Sequence, residues 1–228
     1  MWFLHVALPL LLLVSGANAL YGNRIFHGAH FSLRMSVVMS TCNGAGTDSD
    51  ITVILGYVGL DNKLVYYIET PGQKGNEGVN FEYGTTTYLP YDIGFEKSKQ
   101  IELNCFDYAN GNESLYQDCF NPNLVYFRMY TWFGNLGHAW RPDHVDALLF
   151  AYFPNSRESR HYRQEIRIYF SETSCDVDWV DGDDEYYMCR DPVEHSGRFI
   201  PRGQGLKQGT HFDCSEKREL RTANLMQG

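Results

Sequence analysis

Short runs in which apolar and polar residues alternate, each closed by a turn-prone stretch, recur along most of this chain. A period of two belongs to a strand with one buried face, so a chain patterned this way folds as sheets. The clearest case is Gly44-Ala45-Gly46-Thr47-Asp48-Ser49-Asp50, which runs straight into Ile51-Thr52-Val53-Ile54-Leu55-Gly56. The glycines permit positive φ and close backbone approach. Asp48 and Asp50 place carboxylates beside exposed carbonyls, the hard-oxygen chemistry that calcium takes. Gly44, Gly46, Asp48 and Asp50 are the candidate metal-binding residues.

The alternation predicts eight strands: Phe31–Thr41, Ile51–Tyr57, Lys63–Glu69, Thr85–Leu89, Lys99–Cys105, Asn123–Thr131, Val145–Phe153 and Gln164–Ser171. Turn signals separate them at the intervals of a sandwich. No segment shows a sustained helical period with caps, so an all-β protein is expected. The 28 acidic side chains outnumber the 19 basic ones, for a net charge of −9. A nucleic-acid partner is therefore not expected, because phosphate binding needs a basic face.

The first residues predict a secreted protein. Phe3 to Val14 is apolar and is followed by Ala17-Asn18-Ala19, a small-x-small cleavage site. Roughly 12 apolar residues are too few to span a bilayer, which takes about 20, so residues 1–19 read as a signal peptide. All six cysteines lie after it, and an even count in a secreted chain predicts three disulfides. Thirteen residues separate Cys105 from Cys119, and thirteen separate Cys175 from Cys189. Local pairing of each couple leaves Cys42 with Cys214. Asn112-Glu113-Ser114 is a glycosylation sequon on Asn112. Arg198 to Gly209 lacks apolar period and reads as a mobile tail tethered by Cys214.

Taken together, several stretches resemble the PLAT domain family (polycystin, lipoxygenase, alpha-toxin). Gly44 to Gly59 is similar to the family's opening. Phe81-Glu82-Tyr83-Gly84-Thr85-Thr86-Thr87-Tyr88 resembles its Phe-Glu-x-Gly strand start. Asp92-Ile93-Gly94 followed by Gln100-Ile101-Glu102-Leu103 resembles its acidic turn and next strand. Ala139-Trp140-Arg141-Pro142-Asp143-His144-Val145 resembles the segment leading into a late strand, and Trp179 with Asp181 to Glu185 its final Trp and acidic end. The matches keep the family's order and cover Phe31 to Tyr187. The resemblance implies an antiparallel β-sandwich of two four-stranded sheets. It implies no catalysis, but guidance of partner proteins or membrane binding, sometimes with calcium. The organisation expected is a signal peptide (1–19), a lead-in (20–30), a PLAT-like sandwich (31–187) and a partly disordered, disulfide-tethered C-terminal extension (188–228).

Two departures bear on function. Family members often carry an acidic or amide pair where this chain has Trp132 and Phe133, which depletes the calcium ligands. The segment Trp132-Phe133-Gly134-Asn135-Leu136-Gly137 instead offers aromatics on a glycine-hinged loop, and amphipathic aromatics favour membrane interfaces; the alternative is that Trp132 and Phe133 end a strand and pack in the core, as large aromatics usually do. Thr87 likewise stands where an acid is often seen. There is no Gly-x-Ser-x-Gly elbow and no His-Glu-x-x-His motif, so the chain is expected not to be an enzyme. The run Asp176 to Glu185 departs from EF-hand spacing and reads as a solvated hairpin, with a weak calcium patch as the alternative. His27 and His30 read as surface residues. The expectation is a secreted binding module for a lipid surface or an extracellular protein, with calcium as the cofactor to test. An acidic matrix or mineral-associated protein is the alternative, and a carbohydrate-binding sandwich a third reading.

Overall fold

The computed structural model describes residues 28–74, 81–130, 140–154, 160–170, 175, 185–190, 196–197, 200–202 and 205–214. These form ten strands and two helices: β1 (His30–Met39), β2 (Asp50–Val58), β3 (Leu64–Glu69), β4 (Thr86–Asp92), α1 (Phe95–Ala109), α2 (Glu113–Cys119), β5 (Leu124–Tyr130), β6 (Pro142–Phe153), β7 (Arg160–Phe170), β8 (Glu185–Cys189), β9 (Ser196–Gly197) and β10 (Ile200–Arg202). One sheet has the order β4-β1-β6-β7-β9 and the other β10-β8-β5-β2-β3. Each contains four antiparallel main strands, as expected for the sandwich, plus one short edge strand.

Strand alternation builds the core. On β1, Phe31, Leu33, Met35, Val37 and Met39 are buried while His30, Ser32 and Arg34 are exposed. They meet Ile51, Val53, Leu55 and Tyr57 of β2 and Val125, Phe127 and Met129 of β5 in one apolar cluster between the sheets. Trp140 anchors it, edge-on to Phe81 and Phe127 with ring centroids 5.7 and 5.1 Å away. Glu185–Cys189 adds a strand that the sequence reading did not predict. Tyr186 and Met188 of this strand join the same core.

The strand expected at Lys99–Cys105 is instead part of α1. Ser98, Ile101, Glu102, Cys105 and Ala109 are its buried residues, spaced by three and four. Two of these positions are polar, which hides the helical stripe in a hydrophobicity pattern. Both have a structural reason. Ser98 Oγ accepts the Phe31 N–H at 3.1 Å and Glu102 Oε2 accepts the Ala29 N–H at 2.9 Å, so the helix face ties down the entry to β1. The other face of α1 guards the edge of β3: Asn104 Nδ2 donates to the Val65 carbonyl at 3.1 Å. Covering an edge in this way removes a template for unwanted strand pairing.

A second, smaller cluster lies on the outer face of the β10-β8-β5-β2-β3 sheet. Ile54, Val58, Leu64, Leu124, Tyr126 and Tyr187 are buried there against Phe212. Residues 205–214 run across this face. Phe212 N–H donates to Asn62, Leu64 N–H to Thr210, and Gly209 N–H to Leu64, at 2.8 Å each. The extension thus contributes β10 and a packed strap; residues 215–228 lie outside the described residues, as do 1–27.

The disulfides are Cys42–Cys175, Cys105–Cys119 and Cys189–Cys214. The local Cys105–Cys119 pair agrees with the spacing; Cys175–Cys189 and Cys42–Cys214 do not form. Register explains why. Val38 of β1 and Tyr169 of β7 both pair with His144 of β6, so these strands finish at one end of the sandwich. Cys42 and Cys175 follow them there. Cys189 closes β8 opposite Leu124, which begins β5, whereas Tyr130 ends β5 opposite Asp50. Cys189 therefore lies at the far end, roughly 20 Å along a seven-residue strand. A disulfide needs Cα atoms within about 7 Å, and Cys214 on the strap meets that with Cα atoms 5.7 Å apart.

Candidate functional site

The sequence-predicted loop, residues 40–49, joins β1 to β2 at the end of the sandwich where Met39, Asp50, Tyr130 and Pro142 come together. β5 ends at Tyr130 and β6 begins at Pro142 at this same end. Trp132 and Phe133 themselves lie outside the described residues, as do Trp179 and Asp176–Asp184. The topology brings loop 40–49 and the strand ends that flank residues 131–139 to one pole. Asn112 stands at the other pole, exposed between α1 and α2, where its Oδ1 caps α2 by accepting the Leu115 N–H at 3.1 Å. Its amide nitrogen is the atom a glycan would take.

Backbone contacts fix the loop's shape. Gly44 adopts φ +83°, a conformation that a side chain strains. Ala45 N–H donates to the Cys42 carbonyl at 3.0 Å, and Thr47 N–H to the Phe81 carbonyl at 3.2 Å. Gly46 lies so close to the 81–84 turn that a Cβ would sit 3.0 Å from Tyr83 N and 3.2 Å from the Phe81 oxygen. Its glycine is thus required for packing. Phe81 holds φ +53°, is fully buried, and donates its N–H to Thr87 Oγ1 at 2.7 Å. Thr87 therefore serves the fold of this turn.

The carboxylates are dispersed. Asp48 is exposed, and Asp50 begins β2 half-buried opposite Tyr130. Glu69 and Glu185, on the neighbouring sheet face, both hold Arg128, at 2.9 and 3.0 Å. Partial burial lowers the Arg128 pKa, but these carboxylates outweigh it and leave the guanidinium above its ordinary value. Ser49 Oγ is buried without a hydrogen-bond partner among the described residues. Calcium takes 6–8 oxygens. Beside its hydroxyls and backbone carbonyls the described loop supplies two carboxylates, Asp48 and Asp50, and no group of three or more His, Cys, Asp or Glu among the described residues could hold a metal ion. These residues alone do not fit a calcium cage.

Three residues at this pole were not singled out from the sequence. Tyr83 and Tyr130 are 53% and 56% exposed, flanking the loop as amphipathic rings. Arg141 is 3% exposed directly beneath it. Its position between Trp140 and Pro142 in a family-like stretch was the available signal. Elsewhere, His30 is exposed as expected and contacts the Phe95 ring at 5.8 Å, while His27 lies outside the described residues.

No protein-family model and no curated protein matches the chain. Solved structures do. An alpha toxin from Clostridium absonum aligns over 70% of this chain and 31% of its own length, with TM-score 0.37 and 13% identity. A coral 8R-lipoxygenase, described as calcium-activated through a C2-like domain, aligns over 86% of this chain and 20% of its own, with TM-score 0.36 and 16% identity. A lipoxygenase variant in complex with arachidonate gives 87%, 20%, 0.35 and 14% respectively. The chain thus spans a fifth to about a third of the length of these proteins.

Proposed function

We propose that this chain is a secreted, non-catalytic attachment module of PLAT type that binds a lipid surface through the pole carrying residues 40–49 and 131–139. The observation that carries the reading is convergence: the sandwich presents the glycine-acid loop, the end of β5, the start of β6 and the exposed Tyr83 and Tyr130 at one end. Loops held at the end of a rigid scaffold are where binding residues concentrate. The sequence resemblance supports the class. The predicted signal peptide and the three disulfides fit an oxidising, extracellular setting. No helix among the described residues is long and apolar enough to cross a membrane. A glycan on Asn112 would stand at the opposite pole and leave the loops clear.

The resemblance implies calcium as an aid. The described loop offers it only a partial ligand set, so attachment rests on the loop surface itself. Burying one large aromatic is worth about 1.5–3 kcal/mol. Two suffice for weak, reversible binding. With a net charge of −9, the chain should favour zwitterionic over anionic vesicles. The double substitution Trp132→Ala, Phe133→Ala is expected to weaken sedimentation with phosphatidylcholine vesicles roughly tenfold or more, with little change in Tm. A Tm collapse with unchanged sedimentation would make these residues core and return the pole to a protein partner.

A further inference from the structure

We propose that Arg141 is a built-in cation that holds loop 40–49 in shape, in place of the calcium ion implied by the PLAT resemblance, so that the loop needs no metal. The loop's part in attachment rests on the function proposed above, whereas the placement of Arg141 does not.

Arg141 is 3% exposed, in a residue class almost never fully buried without a reason. Three of its contacts fall on the loop. The backbone N–H donates to the Ala45 carbonyl at 3.1 Å, and its carbonyl accepts the Ser40 N–H at 3.1 Å. Guanidinium Nη1 lies 3.5 Å from Cys42 Sγ, against the disulfide that fastens the loop to Cys175. The Arg141 backbone therefore joins positions 40 and 45, and its guanidinium reaches position 42, all on the first arm of the loop and its bend.

The same contacts leave little for a divalent ion. Carbonyls are the neutral ligands such an ion would take from a loop, yet those of Cys42 and Ala45 already accept N–H groups. Beyond the loop's own Asp48 and Asp50, the carboxylates of Glu69 and Glu185 are held by Arg128. A divalent ion seated in the loop would also lie beside a buried positive charge, where low dielectric strengthens repulsion. The geometry has a buried cation against the loop at Cys42, and it is covalently part of the chain.

The test uses the oxidised full chain and amide hydrogen exchange, which reports local opening. Exchange at 40–49 and the Tm should be the same in millimolar calcium and in chelator. Arg141→Met keeps the length but removes the charge, and should speed exchange across 40–49 and 81–85 by roughly tenfold while β2 and β5 stay protected. Arg141→Lys, charged but without the planar fork, should fall between. Calcium-dependent protection or a calcium-raised Tm in the wild-type chain would overturn the proposal even if Arg141→Met does not fold, and so would wild-type exchange in the Met variant. Phosphatidylcholine vesicles should sediment the wild-type chain equally with calcium or chelator. Calcium-dependent sedimentation would also count against the proposal. No sedimentation in either buffer, with exchange and Tm still calcium-independent, would overturn the attachment reading and leave the built-in cation supported.

Discussion

Replacing Phe212 by alanine is expected to lower the unfolding free energy by about 3–5 kcal/mol, the usual loss for a buried aromatic cut to the β-carbon. Phe212 is fully buried, with its ring centroid 4.8 Å from Tyr187 and 6.3 Å from Tyr126. It closes an apolar face that Ile54, Val58, Leu64 and Leu124 would otherwise present to water. A domain of this kind holds about 5–15 kcal/mol in total, so the loss is a large share. Urea unfolding followed by circular dichroism measures it. A change within about 0.5 kcal/mol, as for a surface residue, would mean that residues 205–214 are a loose tail.

Removing the Cys42–Cys175 bond by paired serine substitution should be the costliest disulfide loss. It closes a loop with a sequence separation of 133, against 14 for Cys105–Cys119. In the chain-entropy account the longer loop is worth about 5 kcal/mol and the shorter about 3. The two double-serine variants should therefore differ in stability in that order. Peptide mapping under non-reducing conditions gives the connectivity directly. Finding Cys42 joined to Cys214 would contradict the strand register described above.

What the sequence could and could not reveal follows from where polar residues sit. The strands from Phe31 to Glu69 were legible because one face of each is apolar and the other polar. Helix α1 was not, because Ser98 and Glu102 point inward to hold Phe31 and Ala29. Phe212 was hidden for a related reason: it lies in a glycine- and basic-rich stretch, and its burial depends on a distant sheet face. Equal cysteine spacing misdirected two pairings because pairing depends on which end of the sandwich each strand leaves, a property of topology. Of the candidate site, the placement of Asp48 and Gly46 was readable. Their roles were not: Gly46 serves close packing, and Arg141 is marked only by its burial.

The proposed function requires end-on attachment to lipid by the pole bearing residues 40–49. An environment-sensitive fluorophore placed at residue 48, through Asp48→Cys, and separately at residue 112, through Asn112→Cys, tests it with phosphatidylcholine vesicles. A blue shift and protection from aqueous quencher are expected at position 48, and no change at position 112. A shift at 112 with none at 48, or silence at both while the protein sediments with the vesicles, would contradict it.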